Sequence, residues 1–324
     1  MPFAAEVHRR AVQLTQHRDN RRVATGFRVH VSSRRISRRF AQIEAVEADS
    51  PEGEHSVHWK LGKSDCATMS WNLKAWRRRR TLKRQPLPDG LWRSVVARLA
   101  FLHDLTHDEL ARLREWVVLF LHSKHFSAAG GLVLTNEMRV MIAAQACILI
   151  LNLDLDYYDD WVEIIVYPGE FIPEREYVDE AGIVHRVREP LGGESWPAGP
   201  VILSWEDVTG RDVVQGYSVV IHEFAHKLDM RNGEANGFPE LHAEMSRLAW
   251  SAALGTAYSD FCTQMDTGME TDIDPYAAEN PAEFFAVISE IFFGIPQIVQ
   301  KTYPAVYQQL ALFYRQDPLL RQSK

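Results

Sequence analysis

Cysteine is scarce. The 324 residues hold three, Cys66, Cys147 and Cys262. Thiols so few and so scattered exclude a disulfide framework and a four-thiolate zinc site, and make a reducing, cytoplasmic compartment the expectation. Long apolar runs are also missing. The most apolar stretch, residues 140–153, is about 14 residues long, is interrupted by Gln145 and Asn152, and falls short of the ~18–20 needed to cross a bilayer. No membrane association is expected. Nor does an apolar segment follow the Arg9-Arg10 pair, which argues against a secretory or twin-arginine signal. After residue 84 there is no internal repeat and no low-complexity tract. At 46% hydrophobic, 24% charged and 10% aromatic, the composition excludes collagen-like, coiled-coil and wholly disordered chains. It leaves a globular protein of one large or two modest domains.

Positive charge is in short supply over most of the chain. Residues 85–324 carry 17 Lys and Arg against 35 Asp and Glu, whereas residues 1–84 carry 19 against 8. An acidic body repels a phosphate backbone, so direct nucleic-acid binding is not expected of it. The Arg-rich start, with Arg34-Arg35 and Arg38-Arg39, has no sustained periodicity and is expected to stay solvated and disordered. Three readings compete for it. It is a basic tail for nucleic acid or acidic lipid, a transit-type peptide, or upstream sequence translated ahead of a true start at Met69. The last is preferred.

From Pro86 the pattern becomes regular. Leu91, Val95, Leu99 and Leu102 predict a helix over about 90–103. Thr106 and Glu109 form a capping-box signature for a second helix through Leu110, Leu113, Val117 and Leu121. A third follows the Gly130-Gly131 break, from Met138 to Ile150. Residues 161–167 and 201–205 read as strands, joined by a polar connection over roughly 170–200 that is long enough to form part of a cleft. Helices return from Gly216 to the end. The fold class expected is α+β, predominantly helical, with a small sheet.

The residues that carry chemistry are His222-Glu223-Phe224-Ala225-His226. On a helix, positions i and i+4 share a face, so both imidazoles can reach one metal ion. Neutral imidazole suits Zn²⁺ with one position left open for water, and Glu223 then stands where a carboxylate takes a proton from that water. Random placement at this composition gives about 0.07 such matches per chain. Catalytic zinc needs a third protein ligand. Candidates downstream are Glu279, Glu283 and Glu290. Pro281 suits a first helical position, which puts Glu283 in the first turn of an apolar helix, where it faces either a metal or simply the helix dipole. Asp229 and Asp274, with Glu290 behind them, are candidates to orient the histidines. His103 with His107, and His122 with His125, are read as helix-end residues, and Cys147 as a small core residue.

The stretches 221–229, Arg231-Asn232-Gly233, 273–278 and Pro281 to Val287 resemble the Mlc titration factor A family of zinc-dependent peptidases, whose catalytic region is similar to that of anthrax lethal factor. The resemblance runs from about Leu91 to about Leu320. It implies that His222, His226 and Glu283 bind one Zn²⁺, that Glu223 is the general base, and that Tyr276 faces the active site to steady an oxyanion. It further implies a zincin-type peptidase domain over 156–324; the helical part read from periodicity (85–155) is expected to pack on it as a scaffold, with the basic segment 1–84 as an extension. The activity implied is aminopeptidase-like hydrolysis of a peptide substrate. The alternative is a regulatory protein that titrates a transcriptional repressor of sugar-uptake genes, with peptidase activity secondary. Residues between Gly233 and Thr271 match the family poorly and are expected to shape one wall of the cleft.

Overall fold

The structure is a computed structural model and describes residues 63–171, 175–178, 184–187, 191–210 and 217–322. Residues 1–62, on which most of the readings of the basic start fall, lie outside the described residues. The expected disorder up to residue 84 is corrected for its last part. Lys63–Arg84 forms helix α1, tied to the body by Arg78, whose guanidinium bonds Asp154 at 2.6 and 3.1 Å, and by an ion pair of Lys74 with Asp156.

Helices α2 (Asp89–Arg98), α3 (His107–Ser123) and α4 (Asn136–Leu149) make up the helical first half. Helix α2 ends earlier than the periodicity suggests, because Leu99 is extended (φ −107°, ψ 91°) and the chain continues as a short 3₁₀ turn. The α3 capping box is present as read: the Thr106 side chain accepts from Glu109 N–H, and the Glu109 carboxylate accepts from Thr106 N–H at 2.9 Å. His125 does not close this helix but opens strand β1 (His125–Ala128).

Strands β2 (Glu163–Tyr167), β3 (Arg175–Val178), β4 (Val184–Val187), β5 (Gly193–Ser195) and β6 (Val201–Ser204) follow. The main sheet has the order β1-β2-β6-β5. Its first three strands are parallel and β5 lies antiparallel on the edge, while β3 and β4 pair separately. The connection read as a polar loop therefore contains three strands, one of them the edge of the sheet. After it come α5 (Trp205–Thr209), α6 (Val219–Asp229), α7 (Arg247–Asp266), α8 (Pro281–Gly294), α9 (Pro296–Thr302), α10 (Pro304–Tyr314) and α11 (Pro318–Gln322). Helix α6, which carries the histidine motif, packs against α8, α4 and β5.

One apolar cluster runs from Leu87 to Tyr314 and passes without a break across residue 155, the expected boundary between scaffold and peptidase domain. Phe120, Tyr158, Trp161 and Phe224 meet edge-to-face or tilted within it, joining the first half of the chain to α6. The opposite face of the sheet carries a small second cluster of Ala129, Ile165, Phe171 and Ile202. Among the described residues no helix is long and apolar enough to cross a membrane.

Candidate metal centre

Ser218 caps α6 by accepting from Ile221 N–H at 3.1 Å, and this fixes the helix that follows. Asn280 does the same for α8, accepting from Ala282 and Glu283 N–H at 2.9 and 3.1 Å, with Pro281 in the first turn where its missing donor costs nothing. The two helices lie against each other, so that residues one or two turns apart on each face one another. On α6 these are His222 and His226; on α8 they are Glu283 and Glu290.

His222 Nε2 stands 2.9 Å from Glu283 Oε2 and 3.2 Å from His226 Nε2, and His226 Nε2 is 3.2 Å from the same Glu283 oxygen. On its other side His222 donates Nδ1–H to Glu290 Oε1 at 2.8 Å. That bond leaves the Nε2 lone pair aimed at a carboxylate oxygen and at a second imidazole nitrogen. Three acceptors so close need protons or a cation between them, and one divalent cation satisfies all three together. Four-coordinate zinc at ~2.0–2.1 Å from each ligand would separate the ligand atoms by about 3.3–3.4 Å, close to the spacing here. Two imidazoles and a carboxylate are also the donor set of a metal site that keeps a position open. Among the described residues this is the group of His, Cys, Asp and Glu side chains that could hold a metal ion. The residues present fit one.

The electrostatics agree. Burial works against charge on both partners, yet hydrogen bonds with the two imidazoles hold the Glu283 carboxyl far below the ordinary carboxylate range. His222 is displaced the other way: burial is outweighed by Glu283 and Glu290, and its pKa is raised. Glu290, last among the candidates to orient a histidine, is the one that bonds His222. Its other oxygen accepts from Ser218 N–H at 2.6 Å, and Ser218 Oγ donates to Gln145 Oε1 on α4 at 2.7 Å. Asp229 instead anchors the loop after α6, accepting from Asn236 and Gly237 N–H, each at 2.7 Å. Asp274 caps the short 3₁₀ turn that carries Tyr276, and Glu279 ends that turn and lines neither cavity over the centre. His103 bonds Val96 O at 3.1 Å at the end of a 3₁₀ turn, whereas His107 opens α3.

Glu223 lies on the neighbouring face of α6, against β5. It is 5% exposed and accepts from Ser195 Oγ at 2.7 Å. Burial pushes its carboxyl above the ordinary value, and the two histidines and Ser195 pull it partly back. The strand approaches so closely that a Cβ at Gly193 would stand 2.5 Å from Glu223 Oε1 and 2.8 Å from Val219 Cγ2. Tyr276 is half exposed, its ring 6.1 Å from that of His222. Two cavities of about 590 and 450 Å³ meet over His222, Glu223 and Tyr276. Asp207, Asp272 and Asp274 line the larger, while Ser195, Asn236 and Glu283 line the smaller. Helix α7 lines neither; it packs behind α8 and the Tyr276 turn, and the wall on this side is the loop at Ala235 and Asn236.

A sequence model of the family described as glucose-regulated metallo-peptidase M90 matches residues 73–315. The chain belongs to this family. Relatives under the name Mlc titration factor A include one from Salmonella arizonae, 39% identical over 236 residues, which are 72% of this chain and 93% of the relative. The protein of that name from Cronobacter sakazakii is 38% identical over 251 residues (76% and 92%). One from Yersinia pestis is 38% identical over 226 residues (69% and 83%). The match begins within α1, ten residues into that helix, so the family includes part of the segment that the sequence reading set aside as an extension. A metallo-peptidase family implies a metal, and the one cluster able to hold it among the described residues is the meeting of α6 and α8.

Proposed function

We propose that this chain is a zinc-dependent peptidase of aminopeptidase-like action. The observation that carries the reading is the convergence of His222 Nε2, His226 Nε2 and Glu283 Oε2 within 3.2 Å of one another, with the Glu223 carboxylate one residue away and facing the same cleft. His222, His226 and Glu283 would hold one zinc ion, which when bound would supply Lewis-acid activation of water and of the scissile carbonyl. Glu223 takes the proton of the attacking water and passes it to the leaving amine. Its raised pKa suits that task, since a base nearer neutrality both accepts and returns a proton readily. The Tyr276 hydroxyl donates to the carbonyl oxygen as negative charge builds there. Among the described strands β5 is the edge of its sheet, and an extended peptide laid along it could add main-chain bonds beside Glu223. Asp207, Asp272 and Asp274 are the carboxylates against which a substrate ammonium sits, which supports an aminopeptidase over an endopeptidase.

A second role is supported by the relatives' printed name, which speaks of titrating Mlc, and by similarity over nine-tenths of the first two relatives' length. In this reading the chain also binds an Mlc-like transcriptional repressor in the cytoplasm. Alanyl-anilide hydrolysis by zinc-loaded protein, run beside Glu223→Gln prepared identically, tests the first role. Turnover in the former and none in the latter is expected; equal rates would refute Glu223 as base. Repressor binding by both proteins is the outcome expected if the two roles are independent.

A further inference from the structure

Val219, Glu223 and Lys227 are spaced by four along α6 and form a second stripe beside the histidines. All three turn toward β5. Val219 and Glu223 leave no room for a side chain at Gly193, and Glu223 holds Ser195. Lys227 has no part in the hydrolytic reading, yet it is 4% exposed. A lysine amine is buried at such cost only if its donors are met. Lys227 Nζ donates to Trp196 O and, at 2.9 Å, to Gly199 O, and it stands 5.1 Å from the centre of the Trp161 ring.

The two carbonyls belong to the turn that leads β5 back into β6. That turn is closed by Gly199 N–H on Trp196 O at 3.0 Å and by Trp196 N–H on Pro200 O at 3.3 Å. Within it Ala198 has φ 50°, in the left-handed region that residues with a Cβ seldom adopt. Strain of this kind persists where surrounding contacts over-determine the conformation, and Lys227 grips the turn at both ends of the strained step.

We propose that Lys227 is a positioning residue for the edge strand: by holding the Trp196 and Gly199 carbonyls it fixes β5 against Glu223 and so sets where a bound peptide lies. The effect on peptide binding rests on the peptidase reading, whereas the effect on β5 does not. Lys124 provides an internal control. It is buried in the same way and stands 3.9 Å from the centre of the same Trp161 ring, yet it donates to Tyr158 O and Trp161 O and to neither carbonyl of the β5–β6 turn.

The test is hydrogen exchange and steady-state kinetics on zinc-loaded wild type, Lys227→Met, Lys227→Arg and Lys124→Met. In Lys227→Met the amides of residues 193–199 are expected to exchange at least about 10-fold faster while α6 and α8 keep their protection. KM for a peptide rises about 10-fold, kcat stays within about 3-fold, and zinc content is unchanged. Ala198→Gly in the same background recovers part of the loss, and Lys124→Met lowers thermal stability without either change. Unaltered exchange over 193–199 in a folded, zinc-bound Lys227→Met overturns the proposal, and so does exchange that rises equally throughout the molecule. If Lys227→Met does not fold, Lys227→Arg decides by the same exchange criterion, since a longer, branched head cannot meet both carbonyls unchanged. A wild type inactive on every peptide would remove the peptidase reading alone, because exchange needs no substrate.

Discussion

Two stripes of one helix do different work with different kinds of neighbour. Ser218, His222 and His226 look toward α8 and meet charged side chains, Glu290 and Glu283, at 2.6–3.2 Å. Val219, Glu223 and Lys227 look toward β5 and meet a missing side chain at Gly193, one hydroxyl and two main-chain carbonyls. The first wall is built from ionisable side chains on two rigid helices and suits a fixed ion. The second is built largely from backbone on a strand of three residues, and suits a ligand that is itself backbone. On the proposed function, metal holding and peptide holding are thus separable by substitution, although their residues alternate along ten residues of chain.

The largest effect is expected on the α8 side. His226→Ala or Glu283→Ala should abolish zinc retention after dialysis and bring hydrolysis to the uncatalysed background. The wild type should lose thermal stability on chelation, by about 2.7 kcal/mol where free zinc had stood at 100 times its Kd, and these variants should not respond to chelator at all. Glu223→Gln should keep its zinc while kcat falls by about 10²–10⁴, because only the proton acceptor is lost. Zinc loss in that variant would show that the two stripes are not independent. Gly193→Ala should come next. Its Cβ must displace the Glu223 carboxylate or the strand, and misplacement on that scale costs about 10²-fold in kcat/KM, again with zinc content unchanged. Glu290→Gln should be mildest for turnover under saturating zinc but should weaken zinc affinity by about 10–100-fold in competition with a chelator, since it loosens His222 without removing a ligand.

The same contrast explains what was readable in the chain. Helix α3 was legible because apolar residues recur there at helical spacing, with Leu113 and Val117 buried, and α4 because it is apolar and buried on nearly every side. Strands β2 and β6 were legible because they are continuous apolar runs covered on both faces. The histidine pair and a glutamate after Pro281 were legible because metal chemistry restricts residue type and helical geometry restricts spacing. Strand β5 was not. Gly193-Glu194-Ser195 has no alternation and no branched apolar residue; it is a strand because β6 offers it a partner and α6 leaves it only glycine-sized space. Lys227 was passed over because a lysine at a helix end ordinarily points to water. Glu290 was ranked behind Asp229 and Asp274 because sequence distance hides that positions 283 and 290, two turns apart, fall on one face of α8. The α1 helix escaped notice because its arginines outweigh the few contacts, such as Arg78 with Asp154, that hold it.

Gln145 gives the molecule one further property. It lies fully buried in the middle of α4, and its carbonyl oxygen ends the chain of bonds that runs through Ser218 and Glu290 to His222. The helical half is therefore wired into the metal centre rather than stacked beside it. A piece beginning at residue 156 would expose the underside of α6 and leave the Ser218 hydroxyl without its acceptor. The half from residue 156 is therefore expected to lose its fold or its metal when expressed alone, and the unit expected to be inherited whole or swapped between proteins includes α4.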